Sequence, residues 1–173
     1  MKQASDIPIT KDLVLIGGGH SHAIALKMLA MRDLSGVQIT LISNACLTPY
    51  SGMLPGFIAG HYAYEEVHID LARLCRALGF RFIEDTVIGL DLNNQIIHCA
   101  NHPDFSYDVL SIDIGSSPDI KSIPGAEEFT QGVKPVDSFL SYWNSLQARI
   151  LETDTTKQTL NIALVGAGAS GVE

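Results

Sequence analysis

The order of apolar runs, glycines and helical periodicity near the start of the chain predicts a βαβ unit. An apolar run at 13–16 is typical of a strand that is buried on both faces of a parallel sheet. Three glycines follow, and apolar residues then recur on two faces of a helix: Ala23, Leu26, Leu29 and Ala30 on one, and Ile24, Met28 and Met31 on the other. We therefore expect this helix to be well buried. A second apolar run at 37–42 predicts the next strand.

The middle of the chain predicts a long loop, a second helix and an antiparallel meander. Residues 43–60 contain two prolines and three glycines and are interpreted as one loop, whose apolar residues should pack against the protein. A helical pattern then ends at Gly79. Four β-like segments are interpreted as the meander: 80–84, 86–92, 95–99 and 107–114. Asn93-Asn94 is the predicted hairpin turn, because asparagine tolerates a positive φ.

The last part of the chain predicts a helix over 136–151 and a buried strand over 160–165. This strand runs into ALVGAGASG at 163–171, which repeats the pattern of VLIGGGHSH at 14–22. In both segments an apolar strand leads into glycines that open a helix.

This arrangement is typical of the turn that binds dinucleotides. The glycines permit a tight turn, a close approach of the backbone to a pyrophosphate, and close packing of the helix on the strand. The helix N-terminus then presents free N–H groups and a positive dipole to the phosphates. The second copy has all three glycines, Gly166, Gly168 and Gly171, whereas the first has Gly17 and Gly19 but His22 at the third position. A doubly wound domain with an empty turn is the structural alternative.

Composition narrows the class of protein. The 173 residues are 46% hydrophobic and 17% charged, with a formal net charge of −8. This balance excludes disorder over most of the chain and argues against a nucleic acid or an anionic membrane as the main partner. The three cysteines have no CxxC or metal-ligand spacing, which is typical of a reducing compartment. With no signal peptide and no apolar run of about 18 residues, we expect a cytoplasmic location without a transmembrane segment.

A set of short motifs is similar to those of a known group of flavoproteins. The motifs are GGGHSHA at 17–23, TPYSGMLPG at 48–56, HID at 68–70, YDVLSIDIGSSP at 107–118, IPGAEE at 123–128 and VKP at 133–135. In this order they resemble the pyridine nucleotide-disulfide oxidoreductase superfamily, in its type II NADH dehydrogenase-like branch. Within that branch they resemble the group that is fused to, or encoded beside, selenide, water dikinase. The resemblance implies an α/β fold with a Rossmann-like, three-layer FAD-binding half and an antiparallel β-meander.

The same resemblance implies cofactors, domains and partners. The first glycine motif would bind FAD and the second NADH or NADPH, with electrons passing on to a quinone or another small acceptor. Residues 1–158 would be the N-terminal part of the FAD-binding domain. Residues 159–173 would be the first strand and glycine turn of a truncated NAD(P)-binding domain, so we expect the chain alone to be inactive. An association with selenide, water dikinase and a homo-oligomer are further expectations.

Carried over residue by residue, the resemblance assigns the cofactor contacts. Those at the first motif are Gly17, Gly18, Gly19, His20, Ser21 and His22. Elsewhere in the flavin half they are Ser43, Asn44, Pro49, Val87 and Gly115, and at the second motif Gly166, Gly168, Gly171 and Glu173. The chain departs from the family at two places. Ser43 and Asn44 stand where an acidic residue usually accepts hydrogen bonds from the adenosine ribose, so a charge-assisted contact is lost. Asp113-Ile114-Gly115 keeps only the glycine of the family's Ala-Thr-Gly.

Few side chains are candidates for chemistry. The cysteine pair of the disulfide-reducing members is absent, but CLTPY resembles a single-cysteine loop, so Cys46 is either a redox thiolate near the flavin or a small apolar residue. His20 and His22 are two residues apart on a helix and point in different directions, so we expect no metal site there. Either histidine could instead lie near the pyrophosphate or the flavin.

Two other functions remain open at this point. The first is a non-catalytic Rossmann-like module that binds a nucleotide for regulation or partner contact, which His22 and the two departures favour. The second is a dehydrogenase with NAD as its single cofactor, which the meander and the second glycine motif argue against. Binding of flavin would separate the FAD-dependent oxidoreductase that the resemblance implies from both of these alternatives.

Overall fold

The chain divides into two compact units, residues 1–115 and 116–173. The structure is a computed structural model that describes residues 8–117, 119–153 and 159–166. The strands are β1 Lys11–Ile16, β2 Val37–Ser43, β3 Leu47–Pro49, β4 His68–Asp70, β5 Arg81–Glu84, β6 Val87–Asp91, β7 Ile96–Cys99, β8 Phe105–Ser106 and β9 Val109–Ile112. The helices are α1 His20–Ala30, α2 Leu54–Ile58, α3 Leu71–Leu78, α4 Ala126–Phe129 and α5 Val136–Glu152.

A four-stranded parallel sheet forms the centre of the first unit. Its strand order is β5-β2-β1-β9, and every neighbouring pair is parallel. The predicted βαβ unit is confirmed, because β1 and β2 pair over their length with α1 between them in the chain. The chain leaves β1 towards β2 on one side and returns to it as β9 on the other. The sheet therefore has a topological switch point between β1 and β9.

Apolar residues on the two faces of this sheet belong to two separate cores. One core joins the sheet to the helices through Leu15, Leu26, Ile39, Leu41, Leu71 and Cys75. The other joins the opposite face to a second sheet through Val14, Ile16, Ile42, Ile97 and Cys99. Successive residues of β1 thus alternate between the cores, as the period of a strand requires. Helices, parallel sheet and antiparallel sheet make the three layers that the resemblance implied.

The antiparallel meander is smaller than predicted. It contains β6, β7 and β8 only. The segments 80–84 and 107–114 were expected in it and instead supply the two edge strands of the parallel sheet. Short apolar runs carry no information about strand direction, so only long-range pairing decides between the two sheets.

The hairpin between β6 and β7 turns at the predicted place, with a different residue in the left-handed conformation. Asn93 and Asn94 lie in the turn, but the positive φ of 55° belongs to Gln95. The carboxylate of Asp91 accepts hydrogen bonds from the N–H groups of Asn93 and Asn94. This side-chain contact holds both asparagines in ordinary backbone conformations.

Two further expectations for the first unit were wrong. The second apolar face of α1 is exposed, with Ile24, Met28 and Met31 at 54%, 55% and 77% of their full accessibility. Only the face with Ala23 and Leu26 lies against the core. The segment 43–60 is also not one loop, because it contains β3, a 3₁₀ turn and α2.

The second unit contains the predicted helix over 136–151 as α5. The expected strand over 160–165 is not formed, and its residues are exposed. A parallel strand needs hydrogen-bonding neighbours on its edges, and no described segment pairs with this one. Over the described part of the chain, no helix has the length and apolar character required to cross a membrane.

Candidate functional site

The carboxyl ends of β1, β2, β5 and β9 meet along one edge of the parallel sheet. In open α/β sheets, ligands bind outside the carboxyl ends of the strands at the switch point. Here that point lies where β1 runs into the glycine turn and where β9 runs into Asp113. The N–H of Asp113 donates to the carbonyl of Ile16 at 2.8 Å, which ties the two strand ends together. This edge is the candidate site.

Close packing explains why the turn after β1 consists of glycines. Gly17 has a φ of +98°, and a Cβ on it would overlap the carbonyl group of Asp113. A Cβ on Gly18 would overlap the side chains of Leu71 and Ser43. A Cβ on Gly19 would overlap the carboxylate of Asp113. The turn is thus closely packed against Ser43 of β2, Leu71 of α3 and Asp113 after β9, and a larger residue in it would displace its backbone.

The first turn of α1 leaves N–H groups available to an anion. Gly19 precedes the helix and provides no side-chain cap. The N–H of His22 donates to Oδ2 of Asp113 at 3.3 Å, and that of Ala23 donates to the carbonyl of Gly19 at 3.1 Å. The N–H groups of His20 and Ser21 have no acceptor in the described residues, as is usual in the first turn of a helix. They can therefore donate to a phosphate, and the helix dipole favours its charge.

Asp113 also limits how strongly this helix end attracts an anion. Its carboxylate lies beside Gly19 and caps the N–H of His22. A negative charge at a helix N-terminus stabilises the helix but offsets part of the positive potential that a phosphate would use. In the sequence, Asp113 stands out only as a departure from the Ala-Thr-Gly of the family. The signal for its role was an aspartate directly after an apolar strand that pairs with β1.

His22 links the glycine turn to β9 and has no free ring nitrogen. Its side chain is buried, with Nδ1 2.8 Å from the carbonyl oxygen of Gly17 and Nε2 2.9 Å from Oγ of Ser111. Because a carbonyl only accepts, Nδ1–H donates to Gly17, and in the neutral ring Nε2 accepts from the Ser111 hydroxyl. A glycine at this position would serve close packing. His22 instead fixes the helix to the neighbouring strand by hydrogen bonds.

The other predicted residues of the flavin half lie around this edge in different settings. His20 is exposed, and its ring centroid is 5.8 Å from that of Tyr50. Ser43 is buried at the end of β2, while Asn44 is exposed. Gly115 has a φ of +75° with open space around it.

Pro49 and Val87 lie in the smaller sheets. Pro49 pairs with His68 in the β3–β4 hairpin, and Val87 pairs with Cys99 at the start of β6. His68 stacks on Tyr64 with 3.8 Å between ring centroids, and its Nδ1 is 2.7 Å from the carbonyl of Tyr64. Its Nε2 is buried without a hydrogen-bond partner in the described part of the chain.

The second glycine motif is described only at its start. Gly166 has a φ of +133°, and no described heavy atom lies within 4 Å of the position that a Cβ would take. Gly168, Gly171 and Glu173 lie outside the described residues. Within the described ranges, no group of three histidine, cysteine or acidic side chains could hold a metal ion.

Cys46 lies in an acidic environment that opposes thiolate formation. Its Sγ donates to Oε2 of Glu84 at 2.6 Å. This hydrogen bond, together with desolvation and the negative charges of Glu84 and Asp70, raises the pKa of the Cys46 thiol. Burial also raises the pKa of Cys75, to about 11. Since the thiolate is the nucleophile, Cys46 is poorly prepared for covalent redox chemistry.

We expect Cys46 to react slowly with iodoacetamide at pH 7, and faster as the pH rises above about 8.5, the ordinary thiol pKa. Glu84→Gln should increase the rate at pH 7, because it removes the charge that raises the pKa. The rate at each pH is measured by mass spectrometry of the modified peptide, with the buried Cys75 as the internal reference. Rapid modification of the unsubstituted chain at pH 7 would restore Cys46 as a redox candidate.

The sequence profile of the pyridine nucleotide-disulphide oxidoreductase family matches residues 11–173. The chain belongs to this family. The pyridine nucleotide-disulphide oxidoreductases are NAD(P)H-dependent flavoproteins, so the family accounts for a glycine turn at the switch point of the sheet.

Two curated relatives share the family at modest identity. NADH dehydrogenase-like protein YutJ of Bacillus subtilis (strain 168) is 30% identical over 168 residues, which cover 94% of this chain and 43% of the relative. External alternative NAD(P)H-ubiquinone oxidoreductase B4, mitochondrial, of Arabidopsis thaliana is 24% identical over 180 residues, covering 94% of this chain and 30% of the relative. The chain thus spans less than half the length of either.

A solved structure confirms the Rossmann-like α/β fold. NDH2 of Plasmodium falciparum in complex with NADH superposes with a TM-score of 0.70 at 17% identity, covering 86% of this chain and 31% of that one. Together with the profile, it supports the type of fold expected from the motifs of this pyridine nucleotide-disulphide oxidoreductase.

The first unit fits a dinucleotide such as FAD in its pyrophosphate region. The glycine turn is compact because Gly17 and Gly19 leave no room for side chains. The next two N–H groups, of His20 and Ser21, are available at the helix end. For the ribose, the end of β2 offers only the neutral side chains of Ser43 and Asn44, so the fit there depends on other residues.

Proposed function

We propose that the chain is the FAD-binding part of an NAD(P)H-dependent oxidoreductase. The observation that carries this proposal is the pair of N–H groups at the start of α1, which have no acceptor among the described residues and which the glycine turn places at the switch point of the sheet. FAD, when bound, supplies the group that accepts hydride from NADH or NADPH. The N–H groups at the N-terminus of α1 would hold its pyrophosphate. The glycines of the turn, which have no side chains, would let the backbone approach it closely.

We further propose that the acceptor of the electrons is a quinone or another small molecule. The support comes from a relative whose name describes an NAD(P)H-ubiquinone oxidoreductase. The association with selenide, water dikinase, the homo-oligomer and the cytoplasmic location stay predictions. NAD(P)H would bind at the second glycine motif, around Gly166.

Titration of the purified chain with FAD tests the proposal. We expect saturable binding, followed by quenching of flavin fluorescence and by calorimetry. ADP should compete with FAD because it carries the same pyrophosphate and ribose. Riboflavin, which has neither, should bind at least about 100-fold more weakly than FAD.

The competing functions give different results in the same titration. A nucleotide-binding module that is not a flavoprotein would bind ADP without any preference for FAD. A dehydrogenase with NAD alone would bind NADH and leave FAD free. Absence of saturable FAD binding at concentrations up to about 1 mM, an affinity of only about 4 kcal/mol, would contradict the proposal.

A further inference from the structure

The candidate site lacks the acidic residue that ordinarily recognises an adenosine ribose. In dinucleotide-binding folds, a carboxylate at the end of the second strand accepts hydrogen bonds from the ribose hydroxyls. In this chain that strand, β2, ends in Ser43 and continues into Asn44. Neither side chain carries a charge. The following inference rests on the proposed binding of FAD and concerns which residue replaces the missing carboxylate.

Strand pairing places one carboxylate at the same edge of the sheet. β2 and β5 are parallel neighbours, and their register pairs Ser43 with Glu84. Glu84 is the last residue of β5, so it lies at the carboxyl end of its strand, as Ser43 does. Adjacent strands are about 4.8 Å apart, so Glu84 is one strand spacing away from the expected position.

The side chain of Glu84 reaches towards the segment that follows β2. Its Oε2 accepts the hydrogen bond from Sγ of Cys46 at 2.6 Å. Cys46 is three residues beyond Ser43, so the carboxylate lies beside the segment that follows β2. The next aspartate, Asp85, has a different orientation, because it is buried and bound to Asn101 and His102.

Within the described ranges, no basic side chain neutralises the charge of Glu84. In the described residues, no lysine, arginine or histidine forms an ion pair with it, and Cys46 is its hydrogen-bond partner. Glu84 is exposed, so Oε1 remains available to a ligand. A carboxylate with a free oxygen, at the edge where the nucleotide would lie, has the chemistry that ribose hydroxyls require.

We propose that Glu84, from β5, accepts hydrogen bonds from the adenosine ribose of FAD in place of an acidic residue at the end of β2. The nucleotide would then be recognised by two neighbouring strands, with β1 and α1 holding the pyrophosphate and β5 holding the ribose. The hydrogen bond from the Cys46 thiol would keep the Glu84 carboxylate in position.

Glu84→Gln tests the proposal through binding rather than turnover. Four affinities are measured by calorimetry: the unsubstituted chain and E84Q, each with FAD and with the analogue of FAD that contains 2′,3′-dideoxyadenosine. We expect E84Q to bind FAD about tenfold more weakly, since a charge-assisted hydrogen bond is lost. The analogue should bind to both proteins with affinities within about twofold, because it has no hydroxyl to donate.

Matched controls separate a ribose contact from a change in structure or net charge. Glu128→Gln removes the same charge from α4 and should leave the affinity for FAD unchanged. E84Q should unfold within about 2 °C of the unsubstituted chain, because Glu84 is exposed.

Three outcomes would overturn the proposal, and they differ from one another. Equal FAD affinities of E84Q and the unsubstituted chain would remove Glu84 from the site while leaving FAD binding intact. Equal losses for FAD and the dideoxy analogue would show that Glu84 acts on something other than the ribose. Absence of FAD binding by the unsubstituted chain would remove the proposed function itself.

Discussion

Gly17→Ala is expected to lower the free energy of unfolding by about 3 kcal/mol and to weaken FAD binding by at least about 100-fold. Two effects add at this position. A φ of +98° is strained for alanine, and the new Cβ would overlap the backbone carbonyl of Asp113. That backbone cannot move freely, because its N–H is bonded to Ile16 at the end of β1. The turn would have to shift, and the N–H groups of α1 would shift with it.

Gly60→Ala and Gly19→Ala are the matched controls for this result. Gly60 has a φ of +79°, and no described atom lies within 4 Å of the position of its Cβ. Its substitution therefore reports backbone strain and should cost about 1 kcal/mol. Gly19 has an ordinary φ of −59°, and the three atoms nearest to a Cβ there all belong to the side chain of Asp113. Asp113→Ala should therefore restore Gly19→Ala and leave Gly17→Ala unrestored.

Urea unfolding and FAD titration measure these effects in the unsubstituted chain and in the four single variants. The two double variants that combine Asp113→Ala with Gly17→Ala or with Gly19→Ala complete the double-mutant cycles. Equal losses for Gly17→Ala and Gly60→Ala would contradict the argument, because strain alone would then explain both. Normal stability with normal FAD affinity in Gly17→Ala would show that the turn is not the binding site.

The sequence predicted the first unit best where one local signal is sufficient. β1, β2, α1 and α3 are each marked by an apolar run, a periodic face or a terminal glycine such as Gly79. The position of the candidate site followed from this, because a glycine turn after a buried strand lies at the edge of the sheet whatever the rest of the chain does. The fold class could be predicted for the same reason.

Long-range pairing accounts for most of what the sequence could not predict. β5 and β9 are as short as the strands of the meander, and only their partners β2 and β1 place them in the parallel sheet. The exposed face of α1 has the same origin, because periodicity shows two apolar faces but not that only one is covered. The strand expected over 160–165 lacks a described partner and is not formed.

The roles of two polar residues at the site also depend on tertiary contacts. His22 stands at the position of the third glycine and was expected near the pyrophosphate or the flavin. The sequence does not show that both of its ring nitrogens are engaged, one by the turn and one by β9. Glu84 had no signal in the sequence beyond its place at the end of an apolar run. Its proposed role arises from the register with Ser43, which only the folded sheet defines.

Asp85→Asn is expected to lower the unfolding temperature at pH 7 by roughly 5–10 °C. The buried carboxylate of Asp85 joins the exit of β5 to the loop after β7. It accepts hydrogen bonds from the N–H groups of Thr86, Asn101 and His102, and from the side chains of Asn101 and His102. An asparagine would turn an NH₂ group towards at least two of these donors and leave them without an acceptor.

The pH dependence of stability separates this carboxylate from a general loss of packing. Burial of Asp85 would raise its pKa, but the hydrogen bonds from His102, Asn101 and Thr86 outweigh it and hold the pKa well below its usual range. The unfolded chain therefore binds the proton more readily. The stabilisation is complete above the unfolded pKa of about 4 and is lost as the pH falls below it towards the folded pKa.

Unfolding temperatures of the unsubstituted chain and Asp85→Asn, measured from pH 7 to pH 2, should therefore converge below about pH 4. Asp91→Asn is the matched control, because Asp91 also accepts N–H groups at a turn but is only half-buried, whereas Asp85 is buried. It should lower the unfolding temperature less than half as much. A difference in unfolding temperature that stays constant down to pH 2 would mean that the packing of Asp85, rather than its charge, holds β5 and β7 together. Equal unfolding temperatures at pH 7 would mean that Asp85 contributes neither packing nor charge to this contact.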